Sequence, residues 1–199
     1  MSATADDILV FWLGEVGERN APSKERSKVW FDGGTDIDTA IAERFSAVHA
    51  QAAAGAFDVW ASTPAGRLAL TIVLDQFSRN LYRASPLAFA CDARALALSM
   101  EALERGEDRA LLPTERAFIT MPMMHSEELS VQERGVEAFA QLAKDVPEAH
   151  RESFSSFHRF AVRHRDIIAR FGRFPHRNKV LGRSSTVEEI EHMKSSPFL

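Results

Sequence analysis

Apolar side chains return every third or fourth residue along most of this chain, and that spacing commits it to helices. Ile37, Ile41, Phe45, Val48 and Ala52 share one helical face, which Asp36 can cap and Gly55 can end. Phe154, Phe157, Phe160, Ala161, His164, Ile167, Ile168 and Phe171 form a longer face of the same kind. Thr63-Pro64 places a capping residue before proline at the first helical position. The run Leu68 to Leu74 that follows is apolar on all sides, as a buried central helix requires. A buried strand has the same composition, but no turn signal or partner strand lies close by. Ser85-Pro86 repeats the start signal and Gly106 supplies the stop. Between them Phe89, Ala93, Leu96, Met100 and Leu103 form one apolar face, and the smaller Ala88, Cys91, Ala95, Leu98 and Ala102 a second. A helix with two such faces packs between close neighbours. Further helices are expected over 114–121, 126–144, 148–171 and 186–194, with Pro122 interrupting the first of these. Ser185 with Glu188, or Thr186 with Glu189, can form the capping box of the last. The expected fold is all-α, antiparallel helix pairs stacked in layers, with residues 1–199 as a single domain.

Composition narrows the functional classes. The chain has 199 residues, 45% of them hydrophobic, enough for one well-buried core. A net charge of −4 argues against a nucleic-acid binder, which normally neutralises several phosphates with a basic footprint. One cysteine, Cys91, excludes an internal disulfide and any multi-cysteine metal site. Its place on the small face reads as core. Asp6 and Asp7 stand where a secretory signal would carry positive charge, and no run approaches the ~18 apolar residues of a membrane span. A cytoplasmic protein without membrane contact is the expectation.

Three polar clusters carry the chemistry. Between residues 159 and 183, the eight cations Arg159, Arg163, Arg165, Arg170, Arg173, Arg177, Lys179 and Arg183 face one acid, Asp166. That segment therefore carries +7 and leaves −11 on the rest of a chain whose net charge is −4. Its arginines can present paired donors to a phosphate or carboxylate, or they can bind acidic helices of the same chain. His164 lies on the apolar face before this loop, either as a satisfied core residue or as the floor of a pocket. In the second cluster Asp75, Arg79 and Arg83 share a helical face, so Asp75 can orient Arg79. Arg79 and Arg83 can then grip an anion, or fasten their helix to an acidic neighbour. In the third, His125 stands beside Glu127 and Glu128, but the spacing matches no helical metal-ligand motif. No metal site is expected and no cofactor is named. No Gly-rich phosphate loop, nucleophile elbow or dinucleotide fingerprint is present.

Taken together, these strings resemble the bacterial family called domain of unknown function 924. The resemblance runs from Val10-Phe11-Trp12-Leu13-Gly14 and Trp30-Phe31 through residues 74–83 and 121–127 to residues 164–178, and closes at 181–186. Ser78 departs from the proline often found at that point, and Thr120 from an aromatic. The resemblance implies a helical, tetratricopeptide-like fold and no particular activity. The signature residues of tetratricopeptide repeats are missing at their usual period.

Two readings follow. In the first, a pocket built from the three clusters binds a small anionic ligand and acts on it. Arg79, Arg83, Arg173 and Arg177, with Asn80 and Asn178, would hold the anion, and His125, His164 or His176 would carry the proton. In the second, the protein is a helical interaction module that holds an acidic peptide or a partner subunit against the 159–183 surface.

Overall fold

The computed structural model describes residues 3–32 and 34–195; Met1, Ser2, Gly33 and residues 196–199 lie outside the described residues. Among the described residues the chain is helical and contains no strand. The helices are α1 (Ala5–Leu13), α2 (Lys24–Asp32), α3 (Gly34–Ala53), α4 (Pro64–Ile72), α5 (Ser78–Leu81), α6 (Asp92–Glu104), α7 (Pro113–His125), α8 (Leu129–Asp145), α9 (Arg151–Phe171) and α10 (Val187–Ser195). None of them is long and apolar enough to cross a membrane.

The centre of the fold is α4. Thr63 caps it by accepting the Gly66 N–H, and Pro64 occupies the first turn. Every residue from Gly66 to Ser78 is buried, including the whole of a π-helical turn, Val73–Phe77, that joins α4 to α5. Helices α1, α6 and α7 pack on α4, and α3 packs on the π-helical turn. From α6 onward each helix packs against the next, through α7 and α8 to α9. The apolar face of α1 (Ile8, Leu9, Trp12, Leu13) and that of α3 (Ile41, Phe45, Val48, Ala52) join one core with Phe77, Phe118, Phe139 and Phe154. On α6 the small face is the deep one: Ala95 and Ala102 are buried, as is Ala88 in the turn before it, whereas Ala93 of the larger face is exposed.

Local details depart from the expected pattern in four places. Helix α3 starts at Gly34, so Asp36 lies in its first turn and does not cap it. Ser85-Pro86 opens a short 3-10 turn, Pro86–Phe89, and α6 itself begins at Asp92. Pro122 lies inside α7, which continues to His125. A proline there removes the bond to the Phe118 carbonyl, a loss of about 3 kcal/mol. Burial of Met121, Met123 and Met124 offsets it, with α8 brought close where Gly135 faces Met123. Phe160, placed by its spacing on the buried face of α9, is 44% exposed. In α10 the capping box uses Thr186 and Glu189: Glu189 Oε2 accepts the Thr186 N–H at 2.7 Å, and Thr186 Oγ1 accepts the Glu189 N–H at 3.2 Å.

The start of α4 tests this account. A Cβ at Gly66 would overlap the Trp60 carbonyl oxygen and lie 2.9 Å from Thr63 Oγ1. Gly66→Ala should therefore destabilise the protein by about 2–3 kcal/mol through overpacking, although alanine is the better helix former. A urea midpoint equal to or above that of the parent chain would refute it.

Candidate active site

The polar end of the core is organised by Asp75, carried on the π-helical turn and 1% exposed. His125 Nδ1 donates to its Oδ1 at 2.7 Å, Arg79 approaches the same oxygen at 3.1 Å, and Gln76 Nε2 donates to Oδ2 at 2.6 Å. Burial alone would raise the pKa of Asp75, but the charges of Arg79 and His125 outweigh it and hold the group well below the carboxylate range. Asp75 is thus an anion buried and fully paired. Because it takes the Nδ1–H of His125, the Nε2 of that ring keeps its lone pair. Burial and the nearby Arg79 charge lower the pKa of His125, against the pull of Asp75.

Two further imidazoles stand beside this pair. The His164 ring centroid lies 6.5 Å from that of His125, and His164 Nδ1 donates to the Phe160 carbonyl at 2.8 Å. Burial pushes the His164 pKa down to about 3, with His125, His176 and Arg177 adding to the effect. The Phe174 ring separates His164 from His176, at 5.5 Å from each. The pKa of His176 is lowered to about 4 by the surrounding protein and by Arg177. All three rings are therefore neutral at pH 7, and for two of them the tautomer is set by the Nδ1–H bond.

Arg177 supplies the cation. It is 7% exposed, and its guanidinium lies between the rings of Phe89 (4.7 Å) and Phe174 (4.5 Å). Its ion pair with Asp92 Oδ2 is long, 3.5 Å, and its buried Nε–H has no acceptor among the described residues. Burial and the adjacent Arg79 lower its pKa to about 10. An underpaired buried guanidinium is costly, and a bound anion would relieve that cost.

Sequence reasoning placed nine residues in one site; the fold gathers His125, His164, His176 and Arg177, with Arg79 behind them. Arg79 is already engaged, donating to both Asp92 oxygens at 2.9 and 3.0 Å and to the Asp75 carbonyl at 2.8 Å. Asn80 and Arg83 turn instead to Asp38 on α3, at 2.7–2.8 Å. Arg173 forks onto Glu189 at 2.6 and 2.9 Å, and Asn178 donates to Ser185 and Glu189. The last two therefore fasten the 172–183 segment to α10. Glu127 completes that fastening by accepting from Arg183 (2.6 and 2.9 Å) and from the Phe174 N–H (2.8 Å). Asp92, Glu127, Phe89 and Phe174 escaped the sequence reading of the site. Only Glu127 had a usable signal, as an acid beside His125; Asp92 depends on how α6 approaches α5, and the two rings on the turn before α6 and the loop after α9. No trio of His, Cys, Asp or Glu among the described residues is arranged to hold a metal ion.

This arrangement sits in a chain that belongs to a known class. The family model described as "Bacterial protein of unknown function (DUF924)" matches residues 8–196, and the chain belongs to that family. It is also similar in structure to the protein of unknown function ATU0120 from Agrobacterium tumefaciens. The two are 33% identical with a TM-score of 0.80, over 96% of this chain and 97% of that one. The comparison with curated proteins returns no match.

Histidines that the fold holds neutral tie stability to pH, half-buried His164 more firmly than His176 at the surface. Unfolded histidine takes up its proton at about pH 6.5, whereas folded His164 and His176 resist until about pH 3 and 4. Their contribution is complete above about pH 6.5 and is lost as pH falls toward the folded values. The urea midpoint should thus drop between about pH 7 and pH 4.5, and drop less in His164→Gln. Equal slopes in the two proteins would show that His164 is not held neutral by the fold.

Proposed function

We propose that this protein binds a small phosphorylated or carboxylated anion between Arg177 and the imidazoles of His125, His164 and His176, and transfers a proton at it. The carrying observation is Arg177, a buried guanidinium with an unfilled donor beside three neutral imidazoles. The Asp75–His125 pair supports the proton transfer. Asp75 fixes the tautomer and steadies the imidazolium as it forms, while Nε2 is left as the base. Single-cysteine composition fits a cytoplasmic setting.

Charge balance adds a constraint. The carboxylates of Asp75, Asp92 and Glu127 are matched by the guanidiniums of Arg79, Arg177 and Arg183, with the histidines neutral. A monoanion entering this balanced cluster favours protonation of an imidazole, so binding should take up a proton and tighten as pH falls. The alternative, a module holding an acidic peptide on the 159–183 surface, draws less support. Arg159, Arg165, Arg170, Arg173 and Arg183 there are paired with Glu152, Asp166, Glu188, Glu189 and Glu127.

The test is a thermal-shift screen against phosphorylated and carboxylated metabolites, followed by calorimetry in buffers of different ionisation enthalpy. A ligand at about 100 times its Kd adds roughly 2.7 kcal/mol, which should raise Tm by about 5–10 °C. Arg177→Ala should abolish the shift, exposed Arg83→Ala should keep it, and calorimetry should report proton uptake. If a turnover assay is found, His125→Ala should slow it by about 100-fold or more. No shift across the panel, or a shift that survives Arg177→Ala, would overturn the proposal.

A further inference from the structure

Away from the histidine site, α2 and α9 leave two phenylalanine rings in solvent. Phe31 is 58% exposed and Phe160 44%. The rings stack 6.5 Å apart and 16° from parallel, and Phe31 also lies 6.2 Å from the buried ring of Phe157. A single exposed apolar side chain is ordinary, but paired aromatics over a core ring mark a surface meant to be covered. They border an open groove of about 510 Å³. Its charged lining residues are Lys24 and Lys28, and its polar ones are the hydroxyl-bearing Ser27, Ser153 and Ser156. Among the residues whose side chains are described, no carboxylate lines it, and Arg163 adds a further cation 5.6 Å from the Phe160 ring. On a chain of net charge −4 this is a local reversal of sign.

We propose that this groove docks a short acidic peptide segment of a partner protein, whose aromatic or leucine side chain packs on Phe31, Phe157 and Phe160. Neighbouring Asp or Glu residues of that segment meet Lys24 and Lys28, and its backbone carbonyls accept from the serine hydroxyls. An aromatic anchor in a desolvated aromatic cleft carries most of such an interface, and the lysines supply orientation and rate. The charge argument selects the partner: a basic or uncharged apolar segment would leave the lysines unanswered. The groove meets the anion site only at Phe160, whose carbonyl holds His164, and neither Phe31 nor the two lysines touches that site, so the two proposals are tested separately.

The experiment probes an array of short peptides with the full chain. Each peptide carries one Phe, Trp or Leu among acidic residues and has two controls, with the anchor changed to Ala or the acids changed to Lys. Binders are then titrated by fluorescence anisotropy at low and high salt. The expected result is binding by the acidic anchored peptides. It should weaken about tenfold or more on Phe31→Ala, on Lys24→Glu with Lys28→Glu, or on removal of the anchor, and should weaken with salt. Arg177→Ala should bind as the parent chain does. Because Phe31 is largely exposed, Phe31→Ala should keep the helical circular dichroism and urea midpoint of the parent. No preference for the acidic anchored peptides, or binding unmoved by Phe31→Ala, would overturn the proposal. So would a concentration-dependent dimer dispersed by Phe31→Ala, which would give the groove to a second copy of the chain.

Discussion

A carboxylate sealed from water must be paired on every side, and much of this fold answers to one such group, Asp75. It joins three elements: its own π-helical turn, α7 through His125, and α6 through the Arg79–Asp92 fork. Removing Arg79 would strand the buried Asp75 charge at a cost of several kcal/mol. The same pairing decides the chemistry nearby. It commits the Nδ1 of His125 and engages Arg79, which in turn holds Asp92 more closely than Arg177 does. Arg177 is left with the weaker pairing of the two arginines, a 3.5 Å contact to Asp92 and an Nε–H without an acceptor among the described residues.

The basic C-terminal segment is governed by the same accounting of partners. Its +7 excess suggests a surface for acidic ligands, yet most of its arginines grip acids of this chain. Arg173 and Arg183 form bidentate forks onto Glu189 and Glu127, a geometry that lysine could not reproduce. These forks hold the 172–183 loop so that His176 and Arg177 face the Asp75–His125 pair. The positive charge acts as internal glue that positions two residues.

The helices were largely legible because their signals are local. Thr63-Pro64 and Thr186 with Glu189 cap where their types and spacing say they should, and the Ile41, Phe45, Val48, Ala52 face is buried. The histidines and Arg177 could also be picked out as polar residues in a basic stretch or beside an apolar run. Their partners could not. Asp92 reads as an ordinary first-turn acid, and only the approach of α6 to α5 makes it the counter-ion of Arg79. Asn80 and Arg83 read as members of the same cluster because they follow Arg79 closely. The chain leaves its helix there, and both reach Asp38 on α3. Phe160 fits a helical face by spacing but lies beyond the part of that face the other helices cover.

Several departures from ordinary helical packing fall close together around Asp75, although buried polar atoms without a partner, such as Arg19 Nη2 and Arg116 Nε, occur elsewhere in the fold too. The π-helical turn carries Asp75, Pro122 sits three residues before its partner His125, and underpaired Arg177 reaches the same cluster through Asp92. Each carries a cost: an irregular turn, a missing helical hydrogen bond, a buried donor without an acceptor. A chain under selection for stability alone could straighten the turn, replace Pro122 and fill the Arg177 site with an apolar side chain. Elsewhere the same chain follows the local rules closely, with capped helices and a small-residue face turned inward on α6. Irregular backbone beside a buried ion pair is the kind of local cost that a polar cluster imposes on the helices that carry it.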